Sequence, residues 1–393
     1  MKKSCFINGS LLMSAVLSLS NAQAAPSPFG NVTSQQRQDY LSKAQVWNAD
    51  GLSLDQAIQA VASKDIVQGA GKADFTTGET VECDYFTPTK PGRLGTSPKF
   101  RCTLPTGTKL ASGKVLLKPM KLKVKYRSSD PNADNWEALT EAPASRLLWA
   151  LGFGADKHYS VKVVCKNCPA DPWHGTGAAG TRTYEPADIG LDLKGEGIAV
   201  ANGKEEWKWA ELVAKKASGA DMKAQVDAML LAATFLGYAD NDAPKQRLIC
   251  LEGTTDCTKP FMYMHGTGAS FGDGTAYRLS LTNWSLPIWK DSSKCVANLD
   301  MHLNKISDFP NHGNPQISEG GRKLLADLLS KLSDSQIYDI FDSGRLYFDP
   351  ASVGAGHHMD VSTEKGKQDL IKLWVDAFSK KRADIVNAHC PTP

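Results

Sequence analysis

The sequence predicts an α+β fold in which strands and helices occupy different parts of the chain. Three observations carry this. Between Thr77 and Cys165, apolar and β-branched residues recur at alternate places, the period of a half-buried strand. From Glu205 onward the apolar spacing becomes three and four, the period of a helix face. The stretch Pro169 to Arg182, rich in Gly, Pro and Ala, separates the two.

Met1-Lys2-Lys3, a mostly apolar run from Leu11 to Leu19, and Ala22-Gln23-Ala24 have the charged, apolar and small-residue segments of an export signal. Cleavage is expected after Ala24, giving an exported protein, periplasmic or secreted. The apolar run is about half the length of a bilayer-spanning helix, and no later stretch is long and apolar enough, so no stable membrane insertion is expected. About 370 residues remain, enough for one large two-lobed domain or two ordinary ones. Loss of Lys2 and Lys3 leaves 43 basic residues against 42 acidic ones. That balance argues against a general nucleic-acid binder.

Ser34 to Asn48 and Ser53 to Ser63 read as two short polar helices in an extension over residues 25–76. Pro98 to Leu104 and Leu116 to Tyr126 read as strands, with turns at Pro91-Gly92 and Thr106-Gly107. A helix ending in Ala144-Ser-Arg-Leu-Leu-Trp-Ala-Leu151 is closed by Gly152, and His158 to Cys165 returns to strand. Helices are then expected over Glu205 to Lys216 and Asp221 to Tyr238. A strand pair, Gln246 to Leu251 and Pro260 to His265, precedes helices at Ile317 to Leu332, Ser335 to Phe341 and Thr363 to His389.

Cys83, Cys102, Cys165, Cys168, Cys250, Cys257, Cys295 and Cys390 remain after cleavage, and an even number in an exported chain suggests disulfides. Spacing alone does not fix the pairing. The expected arrangement joins Cys83 to Cys102 and Cys250 to Cys257 locally, with Cys295–Cys390 tying down the tail. Cys165-x-x-Cys168 reads as a bridge, a redox pair or half a metal site; Pro169 after it excludes a haem attachment motif.

One constellation points to phosphoryl transfer. Lys125 ends the alternating strand Lys121-Leu-Lys-Val-Lys-Tyr126, Glu141 opens the next helix, and Asp240 follows a long buried helix. A short strand then leads to Gly268-Ala-Ser-Phe-Gly272. Phosphoryl transfer needs a Lys on the phosphates, a helix carboxylate to orient it, an Asp to steer the acceptor, and metal ligands on a following strand and turn.

Lys123-Val-Lys-Tyr126, Glu141-Ala-Pro-Ala-Ser-Arg-Leu-Leu-Trp-Ala-Leu-Gly152, Ala239-Asp-Asn-Asp-Ala-Pro-Lys-Gln-Arg-Leu248 and Gly268-Ala-Ser-Phe-Gly272 resemble a family of uncharacterised exported bacterial proteins. That family is distantly similar to the kinase-like superfamily, including HipA-type and secretory-pathway kinases. The likeness covers roughly Thr77 to Cys390. It implies a two-lobed kinase-like fold, with a strand-rich N-lobe over residues 77–168 and a helix-rich C-lobe over 169–393. It further implies ATP with Mg²⁺ or Mn²⁺ as cofactors. Lys125 and Glu141 match the phosphate-binding Lys and its partner, Asp240 matches the catalytic Asp, and Gly95-Thr-Ser-Pro-Lys99-Phe matches a phosphate-covering turn. Two positions depart from that pattern. Lys245 stands where a metal-binding Asn is expected, and Gly266, beside His265, stands where a metal-binding Asp is expected. Asp242 and Asp273 are the candidate substitutes. Pro143 also falls near the start of the Glu141 helix, which it tolerates only if the helix begins or kinks there. These departures give a second reading, an inactive kinase-shaped protein that binds an envelope protein or a small molecule.

Gly268-x-Ser270-x-Gly272 also fits the nucleophile elbow of a serine hydrolase, with His357, His358 or His389 downstream, but Asp273-Gly274 favours a turn over the helix an elbow needs. Gly175-Thr-Gly177-Ala-Ala-Gly180 has dinucleotide-loop spacing without the flanking strand and helix, and reads as a loop. Gly356-His357-His358-Met359-Asp360 reads as an exposed loop before a metal site, and Trp284 and Trp289 as core or groove residues.

Overall fold

The computed structural model describes residues 29–86, 97–128, 134–200, 206–240, 245–251, 257–273, 278–299 and 314–391; the side chain of Asp273 is not described. The export signal, the Pro91-Gly92 turn, Gly95 and Asp242 lie outside these residues. The fold is α+β. Helices α1 (Ser34–Lys43) and α2 (Leu54–Ala60) come first, each started by a capping box, Thr33 with Gln36 and Ser53 with Gln56. Strands β1 (Thr80–Tyr85), β2 (Lys99–Leu104) and β3 (Met120–Tyr126) lead to α3 (Glu137–Ala150), then β4 (Lys157–Cys168) and β5 (Gly180–Leu191). β6 (Glu196–Gly197), α4 (Trp209–Ala214), α5 (Ala220–Leu236), β7 (Gln246–Cys250) and β8 (Pro260–Met264) follow. The short helix α6 (Leu281–Trp284) precedes α7 (Glu319–Ser330), α8 (Asp334–Asp342) and α9 (Glu364–Val386).

β1 to β5 close into a barrel in the order β1-β2-β3-β5-β4, with β1 and β4 parallel and the other pairs antiparallel. Alternation decides the faces. Phe100, Cys102 and Leu104 of β2 and Leu122, Val124 and Tyr126 of β3 are buried in the barrel core. Lys99, Arg101, Lys121, Lys123 and Lys125 therefore fall on the outer face. β5 corrects the sequence reading, which placed a loop to Arg182 and helices beyond it. Glu185 to Leu191 holds buried Ala187 and Ile189, but Pro186 and Asp188 interrupt the alternation that marks a strand.

A second core surrounds α5, whose residues Val226 to Leu236 are all buried, as expected of a helix enclosed on every side. Phe235, Phe271, Trp284, Phe341, Trp374 and Phe378 form its aromatic centre. Trp284 is thus a core residue, and Trp289 packs partly buried against the same core. The N-terminal segment is built into it as well. Gln45 adds to β8 through hydrogen bonds with Pro260 and Met262, and Gln336 donates to the carbonyls of Val61 and Lys64.

α3 lies between barrel and helical core, with twelve of its residues buried. It begins at Glu137, four residues earlier than expected, because Asn135 accepts from the Glu137 amide and also donates to Pro98. Pro143 is therefore interior and cannot bond the Leu139 carbonyl. Gly344 packs against that carbonyl and the Pro143 ring, where no Cβ would fit.

Four disulfides are present: Cys83–Cys102 between β1 and β2, Cys165–Cys168 within β4, Cys250–Cys257, and Cys295–Cys390. Such a set suits an oxidising compartment. Among the described residues, no helix is long and apolar enough to cross a membrane.

Candidate functional site

Glu137 and Glu141 are four residues apart, so they share one face of α3. Lys125 points from β3 into that face and pairs with both. Burial alone would lower the pKa of the Lys125 ammonium, but the two carboxylates hold it above its ordinary value. Glu141 is fully buried, and its other oxygen lies 3.5 Å from His158 Nε2 on β4. Burial favours a protonated Glu141, yet His158 and Lys125 together keep it well below the usual carboxylate range. His158 Nδ1 lies 2.7 Å from Asp188 on β5, which is the register partner of Lys125. Burial opposes the imidazolium, but Asp188 and Glu141 prevail and raise His158 to about 9. Four elements thus meet in one buried chain of charges.

Outside that chain the barrel face is basic. Lys99 is the register partner of Lys125, and Arg101 that of Lys123. Like charges directly opposite on adjacent strands repel, and neither Arg101 nor Lys123 has an ion-pair partner among the described residues. Burial first, then Lys125, Lys123 and Lys245, push Lys99 down to about 8 against the pull of Glu137. Its ammonium donates to Ser97 Oγ at 3.0 Å.

The segment after α5 is tied to this face through the Gly266–Gly272 turn, whose Gly268 packs against Glu137 and Glu141. That segment starts at Gly237, whose left-handed backbone (φ 64°) ends α5. It is zipped to the Gly266–Gly272 turn, since Ala239 donates to Ala269 and Phe271 donates to Leu236. Asp240 pairs with Lys245 at 2.7 Å, both partly exposed. Thr140 bonds the Gly268 carbonyl, and a Cβ on Gly268 would come within 2.8 Å of the Glu137 and Glu141 side chains. Only glycine permits that approach.

Lys125, Glu141, Asp240 and Lys99 are therefore gathered around one face. Glu137, His158, Asp188 and the cationic role of Lys245 were missed from sequence. The four-residue spacing of Glu137 and Glu141 was a legible signal; His158 and Asp188 resemble ordinary strand residues until the register pairs them.

Other sites resolve differently. Ser270 is fully buried and the chain runs into a two-residue strand at Gly272, so the elbow geometry, an exposed nucleophile leading into a helix, is missing. Gly175 and Gly177 have positive φ in the loop between β4 and β5. His357 and His358 are exposed. The Mg²⁺ or Mn²⁺ that the resemblance implies finds no donor set at the described residues near Lys125, because Glu137 and Glu141 hold Lys125 while Asp240 holds Lys245. Among the described residues the metal-compatible cluster is Asp156, Asp192 and His265.

No family model matches the chain, and no curated protein matches it. Among solved structures, it is similar to the Helicobacter pylori proinflammatory kinase CtkA, at 10% sequence identity and a TM-score of 0.40, over 78% of this chain and 96% of that one.

Proposed function

We propose that this chain is an exported, kinase-like phosphotransferase or nucleotidyl transferase. In this reading the barrel with α3 is an N-lobe running to Leu191, past the boundary expected at residue 168, and the rest is a C-lobe. Lys99, Lys125 and Lys245 hold the nucleotide phosphates, Glu141 orients Lys125, and Asp240 steers the acceptor. The acceptor oxygen attacks phosphorus, the bond to the leaving phosphate oxygen breaks, and Asp240 receives the hydroxyl proton.

The observation that carries this reading is the set of facing cations on β2 and β3. Lys99 faces Lys125 and Arg101 faces Lys123 across the strand pair, a repulsion that Glu137 and Glu141 offset only around Lys125 and that an anion bound on this face would relieve further. A polyphosphate is an anion that suits a face carrying several basic side chains on adjacent strands. A second reading, an inactive protein that binds an envelope partner or ligand on the same face, is favoured by the Asp240–Lys245 pair and by the missing metal donors.

Thermal unfolding with ATP, with and without Mg²⁺ or Mn²⁺, tests both. ATP at about 100 times its Kd should add about 2.7 kcal/mol of stability, and Lys99→Ala should lose that gain while remaining folded. Phosphoryl transfer by the wild type, lost in Asp240→Asn with ATP binding kept, supports the enzyme; ATP binding without transfer supports the second reading. No ATP-dependent shift in the folded wild type would sink the transferase reading and leave a protein that binds an envelope partner or another ligand.

A further inference from the structure

Three side chains from separate elements converge where the barrel meets the β6–β7–β8 sheet. Asp156 precedes β4, Asp192 follows β5 and His265 follows β8, and one ligand atom from each lies within 4.8 Å of the other two. We propose that these residues bind one divalent transition cation, with Zn²⁺ the best fit, and that the ion fastens the barrel to the sheet.

Asp156 is set up as a ligand. Its side chain is 4% exposed, and Oδ1 accepts from the Leu193 amide at 2.9 Å and the Tyr263 hydroxyl at 3.1 Å. That fixes the carboxylate and leaves Oδ2 facing His265 Nδ1 as an ion pair, with no other bond at either atom. Ligands held in this way by outer hydrogen bonds are the rule in metal sites. The His265 main chain is held on both sides, its amide by Lys245 and its carbonyl by Tyr238. Asp192 is exposed and has no hydrogen bond or ion pair among the described residues.

The donor set selects the ion. Mg²⁺ and Ca²⁺ favour oxygen alone, whereas one imidazole with two carboxylates suits Zn²⁺. A tetrahedral ion about 2 Å from each ligand spaces its ligand atoms by about 3.3 Å. To admit the ion, Asp156 Oδ2 and His265 Nδ1, now in direct contact, move apart to that spacing while the exposed Asp192 side chain turns in, and water completes the shell. An ion also balances two adjacent carboxylates that His265, even protonated, neutralises only in part. The segment it would hold is the one leading to Gly268, and the inference does not depend on nucleotide binding.

The test is metal content and affinity of the disulfide-intact mature protein, stripped with chelator and reloaded with Zn²⁺, without nucleotide. The expected result is one Zn²⁺ per chain, a raised Tm, and affinity at least about tenfold weaker in Asp192→Asn. Because Asp192 is exposed, that variant should fold normally; His265→Ala should bind less still. Failure of the wild type to retain one equivalent would overturn the proposal. So would equal affinity in wild type and Asp192→Asn, which would assign the metal to surface histidines such as His357 and His358.

Discussion

Replacing His158 with Gln should remove a specific pH dependence of stability. Burial opposes charge on this imidazole, but Asp188 and Glu141 raise its pKa from 6.5 to about 9 in the fold. A group whose pKa is raised on folding stabilises the native state fully below its unfolded value, and loses that contribution as pH rises through its folded value. The window is therefore pH 6.5 to 9. At 1.36 kcal/mol per pH unit, the contribution is about 3 kcal/mol. Urea unfolding under non-reducing conditions, run on wild type and variant from pH 6 to 9.5, measures it. Lys99 and Lys381, lowered by burial to about 8 and about 7, titrate in the same window. They are present in both proteins and cancel in the difference. The stability difference should shrink by about 3 kcal/mol across the window. A difference constant to within about 0.5 kcal/mol, the usual limit of additivity, would refute the argument; His158 would then be neutral in the fold, leaving Lys125 as the balancing charge on Glu141.

Two further outcomes follow from the same geometry. Lys99→Met relieves the repulsion with Lys125 and should raise stability by up to about 1 kcal/mol, read by urea unfolding, while abolishing the ATP-dependent shift. Opening Cys295–Cys390 by a double Ala substitution frees a loop with a sequence separation of 95. The loss should approach about 4.7 kcal/mol on chain-entropy grounds, and unfolding of the double variant under the same non-reducing conditions checks it.

Elements with a clean period were legible. β2, β3, α5, β7, β8 and α9 fall within a few residues of where alternation or helical spacing placed them, because one physical constraint, a buried face, wrote each pattern. α3 was misplaced at its start since its Glu137 amide is met by Asn135, two residues upstream, which also bonds Pro98 just ahead of β2. β5 was lost because Asp188 sits among its buried residues, and burial of an Asp makes sense only beside His158. For the site, residue type and order singled out Lys125, Glu141 and Asp240, whose roles belong to the proposed function. The facing of Lys99 by Lys125 depends on strand register, and the Asp156–His265 pair joins residues more than a hundred positions apart. Neither leaves a trace in local spacing.

The charge arrangement also ranks the three lysines. Lys125 faces two carboxylates, so that trio carries one net negative charge and offers an incoming anion little attraction of its own. Lys245 is already matched by Asp240. Among the described residues, Lys99 has no ion-pair partner, bonds the Ser97 hydroxyl, and is burdened by burial and by three neighbouring cations. An anion arriving there relieves repulsion that Glu137 offsets only in part, and Coulomb attraction at a half-buried position is several times that in water. Lys99 is therefore the residue whose charge gains most from a ligand. Lys125 gains less, because its charge is already shared with the two carboxylates that orient it and join α3 to β3.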